Sequence, residues 1–189
     1  MRKLAGLFSL LSLLIIMGCA KEYSYEGGDL VEVHDSLPPP VVVNDFPACP
    51  FCQAITGTPL SSWSFKKGNT TVCGSIDTAI ITLERTAFTF FGPSACSVDS
   101  GLVITVYLGN ESLNRDRTNV TINNIAFYYY DRVTPSYIFM SLPNSPFTGT
   151  IDNYDHQAKI ASGTFTGNAL RSDGSAASIT SGKFKVKLL

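Results

Sequence analysis

The feature that most constrains the fold is a succession of short segments rich in β-branched and aromatic residues. Gly, Asn, Asp, Ser and Pro separate these segments at intervals of about ten residues, which is typical of all-β domains. No long run of apolar residues at helical spacing follows residue 48, so we expect at most a turn or two of helix. The predicted strands are residues 62–66, 76–85, 87–91, 102–108, 119–122, 126–131, 136–141, 147–152, 158–166 and 183–188.

Strands that follow one another without helices indicate an antiparallel two-sheet β-sandwich. A flattened lipocalin-like barrel is the alternative, because Trp63 in the first strand is followed by an up-and-down run of strands. The Gly-x-Trp sequence that is diagnostic of lipocalins is absent, since residue 61 is Ser. The sandwich is therefore the preferred prediction.

Alternation of side chains predicts one buried face in two of these segments. Residues 79, 81 and 83 are apolar and share a face, and in the last segment apolar residues alternate with Lys183, Lys185 and Lys187. We interpret the three lysines as a solvated strand face that resists edge-to-edge pairing, rather than as an anion-binding stripe.

The N-terminus has the layout of a secretory signal peptide. Arg2 and Lys3 precede an apolar run over residues 4–17, which is too short to span a bilayer comfortably. The sequence Ile16-Met17-Gly18-Cys19 then resembles the lipobox of bacterial lipoproteins, in which the cysteine is acylated and the preceding peptide is cut away. We predict a signal peptide over residues 1–18 and a lipid on Cys19 whose acyl chains hold the protein to a membrane.

The stretch from residue 19 to residue 47 reads as a flexible tether. It contains Gly27-Gly28, three consecutive prolines at 38–40 and Pro47, and it has too few apolar residues to fold alone. Residues 41–43, three consecutive valines, could instead add a short strand to the domain edge. Residues 48–189 are the usual length for a single domain.

The charge balance argues against a nucleic-acid partner. Removal of the signal peptide leaves 12 of the 14 basic residues against 15 acidic ones, a formal charge of −3. Nucleic-acid binding would require clustered Lys and Arg.

Four cysteines remain after Cys19, an even number in a chain predicted to reach an oxidising compartment. Disulfides are therefore expected, and four cysteines permit three connectivities. A tight hairpin turning near residues 85–86 would place Cys73 and Cys96 at its open end, close enough to bond. The sequence thus favours Cys73–Cys96 and, by elimination, Cys49–Cys52.

The motif Cys49-Pro-Phe-Cys52 also has two chemical interpretations. A thioredoxin-like site needs this motif after a strand and at the start of a helix, but here a proline-rich stretch precedes it and Gly57 and Pro59 follow. A zinc site would need a second closely spaced pair and a less oxidising compartment. We therefore interpret the pair as a structural staple and expect no metal and no cofactor.

Other residue types that carry chemistry give weaker signals. His34 lies in the tether, and His156 lies in a predicted turn with no nucleophile motif. Asp152, Asn153 and Asp155 lack the spacing of a calcium loop and are typical turn formers. We therefore predict no catalytic residues.

Three consecutive tyrosines, Tyr128, Tyr129 and Tyr130, are the weak candidates for ligand binding. Consecutive strand residues point to opposite faces, so at least one ring must face outward. An exposed tyrosine can stack on a sugar or a partner protein, although packing is the commoner role of tyrosine in strands.

Short motifs across the chain resemble a group of Bacteroidota lipoproteins whose domain has no assigned function. They are residues 19–23, Trp63-x-Phe65 with Gly68, 90–92, 163–165 and 179–184, and the group carries similar G-x-F and I-T-x-G-x-F strands. The resemblance implies a β-rich outer-membrane lipoprotein and no activity. Lys21-Glu22 partly resembles a surface-export signal, and residues 35–37 and 77–79 resemble O-glycosylation sites of such bacteria.

From these features we expect a non-catalytic binding module, tethered to the outer membrane and exposed at the surface, with a glycan or an envelope protein as its ligand. A thiol oxidoreductase that uses Cys49 and Cys52 and a structural envelope component are the alternatives.

Overall fold

The computed structural model describes residues 49–131 and 136–189, which fall in one compact unit. The predicted signal peptide, Cys19, the tether with His34 and the sequence 35–37 lie outside these residues and remain predictions. Within the described ranges, no helix is long and apolar enough to cross a membrane.

The described chain is almost entirely strand. A single turn of helix, α1, begins with Pro50 at its first position, where the missing N–H costs nothing. The elements are α1 (Pro50–Gln53), β1 (Ser62–Lys67), β2 (Thr70–Ser75), β3 (Thr78–Ile81), β4 (Ala87–Pro93), β5 (Ser100–Tyr107), β6 (Arg117–Asp131), β7 (Ser136–Ser141), β8 (Phe147–Asp155), β9 (Ile160–Arg171) and β10 (Ala176–Lys187).

The strands form one antiparallel sheet that closes on itself. The pairing order is β2-β1-β10-β9-β7-β6-β5-β4-β3, and β8 lies beside β7 between β6 and β9. Only Ile76 and Asp77 separate β2 from β3, so the two ends of this order are consecutive in the chain. A bridge between Gly74 and Ser94, and a hydrogen bond from the Ala95 N–H to the Cys73 carbonyl (2.9 Å), join β2 to the end of β4. We call this junction the seam.

The all-β class predicted from the sequence is confirmed, but the expected division into two sheets is not what the pairing shows. One continuous sheet runs around the domain, as in the barrel alternative. The reason is β2, a strand that is not among the predicted segments. Its pairing with β1 carries the sheet to β3 and β4.

Aromatic rings from opposite walls meet in the interior. Phe65 of β1 packs edge-on against Phe127 and Tyr129 of β6, with ring centroids 5.5 and 5.8 Å apart. On the other side, Phe90 of β4 lies 5.2 Å from Phe184 of β10. All five rings are at most 2% exposed. Side chains therefore fill the centre of the barrel.

Other strand predictions differ from the structure at particular residues. The two segments predicted at 119–122 and 126–131 are one strand, β6, whose register shifts by a bulge between Ile122 and Ile125. The predicted strand 76–85 shortens to β3, and Leu83, expected on its buried face, is 96% exposed in the turn that follows. The alternation predicted over residues 183–188 is confirmed, since the apolar residues there are buried and the lysines point outward.

Gly74 is the residue on which closure of the seam depends. A Cβ at this position would overlap the Pro93 carbonyl oxygen and the Trp63 ring. We predict that Gly74→Ala lowers the free energy of unfolding by about 3 kcal/mol, since backbone cannot move aside as a flexible side chain can. Urea unfolding monitored by the fluorescence of Trp63, the sole tryptophan, measures this.

Ser64→Ala on the outer face of β1 is the matched control and should change stability by less than about 0.5 kcal/mol. Equal stability of the two variants would contradict the proposed role of Gly74.

Candidate functional site

The four cysteines meet at the seam. Cys73 lies in β2, Cys96 follows β4, and α1 packs over the junction with Cys49 at its N-terminal end and Cys52 one turn later. The disulfides are Cys49–Cys96 and Cys52–Cys73. Each links α1 to one side of the seam, so the two bonds together cross-link β2 to the segment after β4.

This connectivity corrects the predicted pairs Cys73–Cys96 and Cys49–Cys52. The hairpin register behind that prediction is close to the observed one, because Thr78 pairs with Phe91 and the bridge at the seam lies further along the same edge. What the sequence did not reveal is that α1 docks at this edge. The sulfurs of Cys49 and Cys52 come between those of Cys73 and Cys96. Cys49 then bonds to Cys96, and Cys52 bonds to Cys73.

The distances between the sulfurs also bear on the redox and zinc interpretations of the Cys49-Pro-Phe-Cys52 motif. The sulfurs of Cys49 and Cys52 are 3.2 Å apart without being bonded to each other. Those of Cys49, Cys52 and Cys96 all lie within 4.8 Å of one another. Three of the four cysteines that a zinc site would need therefore come this close, but all four are bonded in disulfides in this structure.

The remaining polar candidates have structural partners. The His156 backbone N–H donates to Asp116 (2.8 Å), and its Nδ1 lies 3.2 Å from the Leu113 carbonyl oxygen. The carboxylate of Asp155 accepts the Ala158 N–H at 2.8 Å, as a turn former does. At the β9–β10 turn, hydrogen bonds from the Ser175 hydroxyl and N–H lower the pKa of the Asp173 carboxyl.

The three consecutive tyrosines divide between the two faces of β6. Tyr129 points inward, is fully buried and shares a 3.0 Å hydrogen bond with Ser100. Tyr128 is 39% exposed on the outer face, and Tyr130 lies beside it with the ring centroids 6.4 Å apart and the planes 25° from parallel. Two of the three candidates therefore lie on one outer surface and support each other.

That surface extends across β3, β4, β5, β6 and β7, and we call it the uncharged face. Where these strands pair with one another, the described outward side chains lie between the buried positions and are uncharged at neutral pH. They are Thr78, Ile80, Thr89, Phe91, Val103, Thr105, Tyr107, Ala126, Tyr128, Tyr130 and Met140. By contrast, β10 presents lysines outward.

Two rows of directly paired residues cross the uncharged face. In the first, Phe91 is opposite Val103, Val103 is opposite Tyr128, and Tyr128 is opposite Met140. The second row contains Thr89 and Thr105, whose hydroxyls share a 2.9 Å hydrogen bond. Neighbouring strands lie about 4.8 Å apart, so the exposed rings of Phe91 and Tyr128 are roughly 10 Å apart.

Sequence reasoning identified Tyr128 and Tyr130 but missed the rest of this surface. The signal in the sequence is the absence of charge. Residues 118–130 contain no charged residue, and residues 86–110 contain a single charged residue, Asp99. A strand with one solvated face usually carries some charge on that face. Thr78, part of the glycosylation-like sequence 77–79, is the first residue of β3 and is half-buried.

The fold and surface define an all-β domain, closed by disulfides at one seam, with an extended uncharged aromatic surface. Searches against protein-family models, curated proteins and solved structures found no match for the chain.

The two disulfides should contribute unequally to stability. They span 47 and 21 residues, and a longer loop removes more entropy from the unfolded chain. We predict that Cys49→Ser/Cys96→Ser lowers the free energy of unfolding by about 4 kcal/mol and Cys52→Ser/Cys73→Ser by about 3 kcal/mol. Denaturant titration of both variants measures this. A larger loss for the second variant would contradict the ranking.

Proposed function

We propose that this protein is a non-catalytic lipoprotein of the bacterial outer membrane that binds a neutral carbohydrate on its uncharged face. The observation that carries the proposal is the cross-strand row from Phe91 to Met140, with its exposed rings and its lack of charge. The Bacteroidota lipoproteins that the sequence resembles have the same predicted location.

Membrane attachment rests on the sequence from Ile16 to Cys19. Two or more acyl chains on Cys19 would give stable attachment, because each buried methylene contributes about 0.8 kcal/mol and one chain alone binds only marginally. The signal at Lys21-Glu22 supports an outward orientation. The proposed location therefore brings the uncharged face to extracellular ligands.

The chemistry of the face favours a carbohydrate over an acidic or basic ligand. A charged partner would need opposite charges to orient it, and the outward positions of the uncharged face provide none. Aromatic rings offer flat apolar surface, and the Tyr128 and Tyr130 rings are pre-organised by their mutual contact, which lowers the entropy cost of binding. Thr89 and Thr105, in the second row, offer hydroxyl groups for hydrogen bonds beside these rings.

The packing of the interior also favours the uncharged face as the binding surface. A small apolar ligand inside the barrel, as a lipocalin holds, would have to displace packed rings such as Phe65 and Phe127. The spacing of about 10 Å between Phe91 and Tyr128 instead lets two rings contact alternate sugars of an extended chain. A linear polysaccharide is therefore the proposed ligand.

Tyr128→Ala should weaken carbohydrate binding at least about tenfold, since a central aromatic contact typically contributes about 2 kcal/mol or more. The measurement is affinity electrophoresis and calorimetry of residues 48–189 against a panel of neutral linear polysaccharides. Lys185→Ala, on β10, is the control and should bind as the wild type does.

The outcomes of that panel are distinct. Failure of the wild type to bind any neutral polysaccharide would overturn the carbohydrate proposal. Binding that survives Tyr128→Ala would place the ligand elsewhere. Saturable binding to an envelope protein that Tyr128→Ala abolishes, without polysaccharide binding, would assign the face to a protein partner instead.

Cys19→Ala should move the protein from the membrane fraction to the soluble fraction, because it removes the predicted site of acylation. Cell fractionation with immunoblotting measures this, and mass spectrometry of the wild type should find acyl chains on an N-terminal Cys19. Cys49→Ala is a suitable control for the loss of a cysteine and should stay in the membrane fraction. Membrane retention of the Cys19→Ala variant would contradict lipid attachment there.

A further inference from the structure

The four sulfurs at the seam form a near-continuous chain. Between the two disulfides, the sulfur of Cys52 lies 3.2 Å from that of Cys49 and 3.5 Å from that of Cys96. These distances join atoms of different disulfides, so each bond has an atom of the other within reach. A thiolate freed at Cys49 would already be in contact with the Cys52 sulfur of the other disulfide.

Access from outside is uneven along this chain. Cys49, Cys52 and Cys73 are 5%, 4% and 3% exposed, whereas Cys96 is only partly buried and follows the exposed Ala95. Disulfide exchange depends on access of the attacking thiolate to one sulfur. A thiolate from solution therefore reaches Cys96 first.

We infer that the cluster is a thiol–disulfide exchange site that accepts a small thiolate at Cys96 and rearranges to a second pairing. In the first step the thiolate attacks the Cys96 sulfur. A mixed disulfide forms there, the Cys49–Cys96 bond breaks, and Cys49 leaves as a thiolate.

The second step is internal. The Cys49 thiolate attacks the Cys52 sulfur, which lies 3.2 Å away, forming Cys49–Cys52 and releasing Cys73 as a thiolate. Cys73 and Cys96 lie on opposite sides of the seam, joined through Ser94: its hydroxyl lies 3.5 Å from the Cys73 carbonyl and accepts the Cys96 N–H at 3.1 Å.

In the third step Cys73 attacks the mixed disulfide at the Cys96 sulfur. The Cys73–Cys96 bond forms and the small thiol leaves as a thiolate. Two disulfides are present before and after, so the exchange consumes no reductant and the thiol acts as a catalyst. The net change is a new connectivity at an unchanged oxidation state.

The rearrangement alters what the disulfides hold. In the observed pairing both bonds attach α1 to the barrel. In the second pairing Cys73–Cys96 closes the seam directly, and α1, with Phe51 66% exposed, keeps only non-covalent contacts with it. The site is thus a switch that releases α1 while keeping the barrel closed.

Non-reducing peptide mapping tests the inference. The oxidised protein is incubated with low concentrations of 2-mercaptoethanol, quenched with acid, alkylated and digested. Cleavage after Phe51 separates Cys49 from Cys52, and cleavage after Arg85 separates Cys73 from Cys96. We expect peptides linked as Cys49–Cys52 and Cys73–Cys96 to appear with time, after a mixed disulfide on Cys96.

The double variant Cys49→Ser/Cys96→Ser is the matched control, because it keeps Cys52–Cys73 and removes both neighbouring sulfurs. That bond should remain closed under the same treatment. In the wild type, persistence of the original pairs with only a mixed disulfide on Cys96 would overturn the inference. So would a mixed disulfide that forms first on Cys52 or Cys73, or an untreated protein with other pairs. None of these outcomes bears on carbohydrate binding.

Discussion

Closure of the sheet at the seam is the constraint on which the rest of the structure depends. An open sheet of this length would expose the edges of β2 and β3, and unpaired edges invite pairing with other chains. The direct pairing that closes it is sparse: one bridge between Gly74 and Ser94 and a few backbone hydrogen bonds. The two disulfides compensate for this by fixing α1 to both sides. The disulfides therefore hold the two sides of this junction together, whereas long ladders of backbone hydrogen bonds hold the other strands of the barrel together.

The packed interior and the uncharged face are two consequences of one alternating pattern. Because successive residues in a strand point to opposite faces, Phe90 and Phe127 enter the core while Phe91 and Tyr128 face out. The inner set is large enough for rings from opposite walls to meet. The outer wall carries the other set of side chains, which includes the exposed rings of the uncharged face. The side formed by β10 carries alternating lysines instead.

Much of this architecture could be predicted from the sequence. Local patterns in the sequence predict most of the strand segments, the alternation in β10 and the formation of disulfides by an even set of cysteines. These patterns are the residue types, the spacing of apolar residues and the predicted export of the chain. Closure could not be predicted, because it depends on β2, whose Thr, Cys, Gly and Ser residues resemble a loop until β1 pairs with them. The disulfide connectivity failed for a related reason, since one turn of helix has no periodicity that would place it at the seam. The uncharged face was visible only in part, at the tyrosines, because assembling it requires the register of five strands.

The Cys49–Cys96 bond has a mechanical consequence. Cys49 is the first described residue of the domain, so tension applied through the preceding chain reaches it before any of the described strands. From there the load passes through a sulfur–sulfur bond to Cys96, and through Cys52 to Cys73, on the two sides of the seam. Force is thus delivered to the barrel at two covalent points, instead of peeling one strand from its neighbour. Under such a load the domain would resist unzipping for as long as that pairing of cysteines is retained.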